Sequence, residues 1–182
     1  IRQGIPFCPP ASIYAGNFSD AADSDIVILT SGLPRKPGQS RLDLAQTNVD
    51  ITKSIAPEIT KYAPNAVYVI VSNPVDVLTY VFNKVSGLPE HQIIGSGTIL
   101  DTARLRSRLS EYYKISQQNV HAYVFGEHGD TSFVPWSLAN ISSIDIDKYH
   151  ECHQSDRVIP KLEYTEVEDY IRKSGAKIID RK

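Results

Sequence analysis

Ala66-Val67-Tyr68-Val69-Ile70-Val71, closed by Ser72-Asn73-Pro74, is an unbroken apolar run of strand length ending in a turn signal. Such a run reads as a strand buried on both faces. Upstream, Asp25-Ile26-Val27-Ile28-Leu29-Thr30 has the same character and ends in Ser31-Gly32. Between the two, Leu44, Val49, Ile51, Ile55 and Ile59 recur near helical spacing over residues 42–62; after the second, a short helix over 75–85 is closed by Ser86-Gly87. Strands alternating with helices across short connections predict an α/β fold with a Rossmann-type, doubly wound parallel sheet. Ligands of such sheets gather beyond the carboxyl ends of the strands, here Thr30-Ser31-Gly32 and Ser72-Asn73-Pro74.

After Gln92-Ile93-Ile94 the rhythm changes. Residues 98–113 form a basic amphipathic helix. An isolated strand, Val120-His121-Ala122-Tyr123-Val124-Phe125, then runs into Gly126-Glu127-His128-Gly129-Asp130. Pro135-Trp136 and long helical segments follow, the last an amphipathic stretch over 167–182 with Val167, Ile171, Ile178 and Ile179. The expected boundary lies near Gly95, giving a first domain over 1–94 and part of a mixed α+β domain over 95–182.

The chain has 182 residues, a net charge of -2, 41% hydrophobic and 22% charged residues. That balance gives no reason to expect nucleic acid or an anionic membrane as partner. Two cysteines, Cys8 and Cys152, fit a reducing compartment rather than a disulfide framework. The chain begins at Ile1, holds no Met and stops inside a helical pattern, so both ends are expected to be cut.

His128 stands between two glycines, Gly126 and Gly129, directly after a strand, which suits a proton carrier near neutral pH; a surface turn histidine has the same local pattern. Asp101 and Arg104, three apart on one helix, share a face. They read either as a surface ion pair or as divided tasks. In the second case Asp101 accepts the far N–H of an imidazole and Arg104 grips a carboxylate with its fork. Arg41 follows a loop containing Pro37-Gly38, where it decorates the next helix or closes over a substrate and polarises its carbonyl. Arg35 is placed to touch a substrate's variable end. The Asn73 amide either serves a turn or bonds a substrate hydroxyl. His150, Cys152 and His153 match no zinc spacing and no metal is expected. No Gly-x-Gly-x-x-Gly phosphate loop is present, since Gly95-Ser96-Gly97 is followed by Leu100 where the third glycine should be.

Jointly, Ser72-Asn73-Pro74-Val75-Asp76, the block from Gly95 to Arg104, and Gly126 to Asp130 resemble the NAD-dependent L-lactate/L-malate dehydrogenase family. The resemblance covers the whole chain. It implies a cofactor domain lacking its first β-α-β unit and a substrate domain incomplete at its C-terminal end, so that the chain alone would be inactive. It implies NAD as cofactor, with Tyr14, Gly32, Leu33, Ser54, Val71, Ser72 and Asn73 at contact positions. His128 resembles the proton donor/acceptor, Asp101 its orienting partner, Arg104 the carboxylate clamp and Arg41 the carbonyl-polarising arginine. Asn73 resembles the residue that positions substrate and nicotinamide. Glu127-His128, Pro135-Trp136 and Arg41-Leu42-Asp43-Leu44 look like the lactate branch, whereas Arg35 looks like the malate branch. The lactate branch ranks first. A noncatalytic scaffold derived from such an enzyme is the reading from another class. The resemblance also implies a cytoplasmic glycolytic enzyme of pyruvate fermentation, a homotetramer or sometimes a dimer. Arg106 and His121 match the pair that binds fructose 1,6-bisphosphate between subunits.

Overall fold

Residues 26–29 and 67–70 pair in parallel, and a third strand joins the other edge of 67–70. A computed structural model describes residues 8–34, 41–153 and 162–179. The chain divides into two units, Ile1–Gly95 and Ser96–Lys182. In the first, strands β1 (Ile26–Leu29), β2 (Val67–Ile70) and β3 (Ile93–Gly95) lie in the order β1-β2-β3. Val27 stands beside Tyr68, Leu29 beside Ile70, and Tyr68 beside Ile93. Helices α1 (Arg41–Tyr62) and α2 (Val75–Ser86) are the crossovers, α2 ending at Gly87 with the positive φ of 71° that glycine adopts without a Cβ penalty.

Both helices cover the same face of the sheet. Ala56 and Ile59 of α1, Tyr68 and Ile70 of β2, and Leu78 and Phe82 of α2 make one buried core. The Tyr68 and Phe82 rings meet at 5.0 Å. Burial on both faces, expected for β1, is not found: Ile26 and Ile28 are each 62% exposed. The reason is handedness. Right-handed crossovers that advance one way along a sheet all fall on one face, and the described residues supply none running the other way.

The α1 stripe also differs from the one read in the sequence. The buried residues are Asn48, Thr52, Ala56, Ile59 and Thr60, with Val49 and Ile55 at its flank. Small and hydroxylated side chains let the helix sit close, and the Thr52 and Thr60 hydroxyls are satisfied by donating to the carbonyls of Asn48 and Ala56 at 2.9 Å.

In the second unit, α3 (Ile99–Tyr113) and α5 (Tyr164–Ile179) enclose a core of Leu105, Leu109, Val120, Ala122, Val124, Ile141, Val167 and Ile171. The run 120–125 alternates buried Val120, Ala122 and Val124 with exposed His121, Tyr123 and Phe125, the period of an extended chain. It is not isolated. Its β4 (Val120–His121) pairs antiparallel with β5 (Asn140–Ile141), which turns into β6 (Ile144–Asp145) and then α4 (Ile146–His153). The turn puts Ser142 and Ser143 at positive φ, a tight-hairpin geometry that lacks its usual Asn or Gly signal in this sequence. No helix among the described residues is long and apolar enough to cross a membrane.

Candidate active site

Four residues of α3 lie on one buried stripe: Asp101, Leu105, Leu109 and Tyr113. Three are core residues by chemistry. The fourth is a carboxylate only 5% exposed, and a charge so placed has to be paired. Asp101 is paired at both oxygens. Arg104 donates from Nη1 to Oδ1 at 3.0 Å, and Oδ2 lies 2.6 Å from Nδ1 of His128. The first turn of α3 is itself a favourable place for a carboxylate, because the helix dipole has its positive end there. A carboxylate only accepts, so Nδ1 of His128 carries the proton of this bond. Of the two readings of Asp101 and Arg104, the surface ion pair is excluded by this burial.

The turn that carries His128 is held at both ends. Phe125 and Phe133 exchange backbone hydrogen bonds of 2.9 and 3.0 Å, closing the loop, and Gly126 enters it at a φ of 88°. On the outgoing side, Arg172 of α5 donates to the Ser132 carbonyl at 2.6 Å from Nη2, and Glu168 accepts from Trp136 Nε1 at 3.0 Å. Glu168 and Arg172 are joined to each other at 3.0 Å. Sequence reasoning missed this pair. Their i,i+4 spacing was visible, but nothing local says what they hold.

Arg104 is 19% exposed at its side chain and borders a cavity of about 280 Å³ between α3 and α5. Its lining includes Arg108 and Lys177 and, among the described residues, no carboxylate. An anion is the ligand that such a lining suits. Arg106 points elsewhere, donating to the Gln117 carbonyl at 3.0 Å, and His121 is exposed on β4.

The first unit supplies a different arrangement at the carboxyl ends of β1 and β2. Asn48, 2% exposed, accepts from Leu33 N at 2.8 Å and donates to the Asn73 carbonyl at 2.8 Å. One amide thereby ties the two loops together. A Cβ on Gly32 would come to 3.4 Å from that same amide, so the backbone here lies directly against it. Gly32, Leu33, Ser72 and Asn73 are thus gathered beside one another, and Ser72 reaches the Leu29 carbonyl at 3.5 Å. Leu33 and Val71 remain 48% and 40% exposed, an apolar rim of the kind a planar ring can lie on. Tyr14 is 68% exposed. Ser54 is exposed and donates to the Ile51 carbonyl of its own helix at 2.8 Å; the structure does not bring it to the Asn48 cluster. Arg35 lies outside the described residues, as does the side chain of Arg41, whose backbone begins α1. Asn48 itself went unread, because an Asn on a helical stripe carries no local mark of a clamp.

Two family models match the chain: lactate/malate dehydrogenase, NAD binding domain, over residues 5–95, and lactate/malate dehydrogenase, alpha/beta C-terminal domain, over 98–182. An L-lactate dehydrogenase of Acetivibrio thermocellus is 50% identical over 162 residues, covering 88% of this chain and 51% of that relative. The crystal structure of MGS-M5, a lactate dehydrogenase from a Medee basin deep-sea metagenome library, superposes with a TM-score of 0.89 at 40% identity, covering all of this chain and 57% of its own. A malate dehydrogenase of Plasmodium falciparum is further away, with a TM-score of 0.81 at 32% identity over 91% of this chain and 52% of its own. The chain spans about half the length of the curated relatives it matches.

Proposed function

Because this chain belongs to the lactate/malate dehydrogenase family, we propose that the full-length protein is an NAD-dependent L-lactate dehydrogenase that interconverts pyruvate and L-lactate. The observation that carries the reading is the buried Asp101, bonded at once to the imidazole of His128 and the guanidinium of Arg104. The Asn48-tied loops with Gly32 and the apolar rim fit a nicotinamide cofactor, which would lie against Gly32, Leu33, Val71, Ser72 and Asn73. When bound, that cofactor supplies or accepts the hydride at C2 of the substrate.

The chain's own residues do the rest. In the reducing direction His128 gives a proton from Nε2 to the carbonyl oxygen as it becomes a hydroxyl, and in the oxidising direction it takes that proton back. Asp101 fixes the ring's orientation and balances the charge of its protonated form. Arg104 holds the substrate carboxylate through its fork while Asp101 aims it. Arg41, Asn73, Tyr14 and Ser54 keep the roles that the family resemblance assigns them.

Pyruvate is preferred to oxaloacetate because the close relatives are named L-lactate dehydrogenase and the malate dehydrogenase is the more distant neighbour. Arg35 supports the malate reading, since a second carboxylate would pair with it. In the full-length protein His128→Gln is expected to remove nearly all turnover and leave NADH binding near normal; a variant that keeps its turnover sinks the assignment. Turnover efficiency on pyruvate against oxaloacetate, repeated with Arg35→Gln, decides the substrate. A strong oxaloacetate preference that collapses in the variant establishes the malate reading instead.

The proposal extends to a cytoplasmic homotetramer whose effector is fructose 1,6-bisphosphate, bound by Arg106 and His121. Arg106 Nε is buried with no hydrogen-bond partner among the described residues, and its Nη2 holds the turn that leads into the exposed His121. Adding the bisphosphate should lower the apparent KM for pyruvate, and Arg106→Gln with His121→Gln should cancel that response. A wild type indifferent to the bisphosphate across pH 5.5 to 7.5 (about a unit to either side of the ordinary histidine value) refutes the effector site.

A further inference from the structure

Thr98 and Thr102 stand one helical turn apart at the start of α3, on either side of Asp101 in sequence. Both reach the same residue of another segment. Thr98 donates from Oγ1 to the Val124 carbonyl at 2.6 Å, and the Val124 N–H donates to Thr102 Oγ1 at 3.0 Å. Val124 is 5% exposed and lies four residues before His128. Its two backbone groups have no partner from a paired strand at this point, since β4 ends at His121 and the next bridge is Phe125 with Phe133. The two hydroxyls supply what a neighbouring strand would have supplied.

Thr98 adds an independent observation. It occupies the N-cap position of α3, where a threonine hydroxyl ordinarily accepts a hydrogen bond from the first turn, yet it makes no such cap. Its hydroxyl is turned outward to the strand instead.

We propose that Thr98 and Thr102 are positioning residues for the reaction: together they set the register between the first turn of α3 and the strand leading to His128. That register determines whether Asp101 Oδ2 meets His128 Nδ1 at hydrogen-bond distance. Asp101 is carried by the helix and His128 by the strand's continuation, and these two hydrogen bonds tie the two segments together beside the dyad. A hydroxyl is needed at each position, one to donate and one to accept, so serine should serve and the isosteric valine should not. The proposal rests on the dehydrogenase reading given above.

The test uses the full-length protein with Thr98→Val and Thr102→Val, singly and together, beside Thr98→Ser and Thr102→Ser. Pyruvate reduction and NADH binding are measured separately. The valine variants should lose roughly ten- to a hundredfold in kcat, the scale on which sub-ångström to ångström misplacement acts, while the Kd for NADH is unchanged. The serine variants should recover most of the rate. Valine variants that turn over like the wild type overturn the proposal, and so do serine variants no better than valine, since that would mean the methyl packing matters and the hydroxyl does not. If the double valine variant does not fold, Thr102→Ala alone is judged by the same criteria. His128→Gln is measured alongside. Should it retain turnover, the dehydrogenase reading itself fails; should it be inactive while the threonine variants are silent, only the positioning role fails.

Discussion

In α1, buried Asn48 grips backbone groups of Leu33 and Asn73; in α3, buried Asp101 grips the side chains of Arg104 and His128. Each is a buried polar residue on the core-facing stripe of its helix, and each joins segments far apart in sequence. The neutral amide offers an accepting oxygen and a donating NH2, which suits the peptide N–H of Leu33 on one loop and the carbonyl of Asn73 on another. It can hold a scaffold but has no proton to lend to chemistry. The carboxylate accepts from two directions and carries charge, so it organises two ionisable partners. The difference teaches how burial is tolerated in the two units: in the first by matching dipoles, in the second by pairing charges that a reaction can use.

The largest expected effect falls on the charged side of this comparison. Asp101→Asn keeps the shape but offers the imidazole a poorer orienting partner, and should lower kcat by about a hundredfold or more while leaving less damage than His128→Gln. Stopped-flow reduction of pyruvate measures it. Asp101→Leu removes the pairing altogether and should also destabilise the protein by about 3 kcal/mol in urea unfolding, because Arg104 and His128 lose their buried partner. A leucine variant as stable as the wild type would mean that the dyad carries no structural weight.

Next comes Asn48→Leu. It leaves Leu33 N–H and the Asn73 carbonyl without their partner and should cost about 2–4 kcal/mol, with a raised KM for NADH and little change in the KM for pyruvate. Equal changes in both constants would erase the contrast between the two clamps.

The smallest effect is a slope at alkaline pH. Burial raises the Tyr68 phenol in the first unit above its ordinary 10.0. In the second unit burial raises Tyr113, helped by Tyr112 and Asp147, and burial together with the Asp147 hydrogen bond raises Tyr164. Unfolding lets each ionise near the ordinary value, so their contribution is complete below about pH 10 and is lost as pH rises toward the folded values. Chemical unfolding at pH 9 and pH 11 should therefore show a loss that Tyr113→Phe reduces more than Tyr68→Phe does. The reverse ranking would assign the alkaline weakness to the first unit.

The amino-acid sequence by itself determined the elements whose signal is local. The apolar runs at 26–29 and 67–70 become parallel strands, the helical periods become α1, α2, α3 and α5, and the three-residue spacing puts Asp101 and Arg104 on one face. The i,i+4 stripe of Asp101, Leu105, Leu109 and Tyr113 was also legible in retrospect: an acid at a core position announces a partner. Only the tertiary structure decided who that partner is. His128 lies 27 residues from Asp101, Asn73 lies 25 from Asn48, and Val124 lies 26 and 22 from its two threonines. Periodicity reports which side of an element faces inward, because one turn of helix or one pleat of strand fixes it. It does not report what stands opposite, which depends on how whole elements pack and in what register. The same limit hid the β5–β6 hairpin, which pairs with β4 and whose turn uses two serines at positive φ, braced by the Ser143 N–H donating to Asn140 Oδ1.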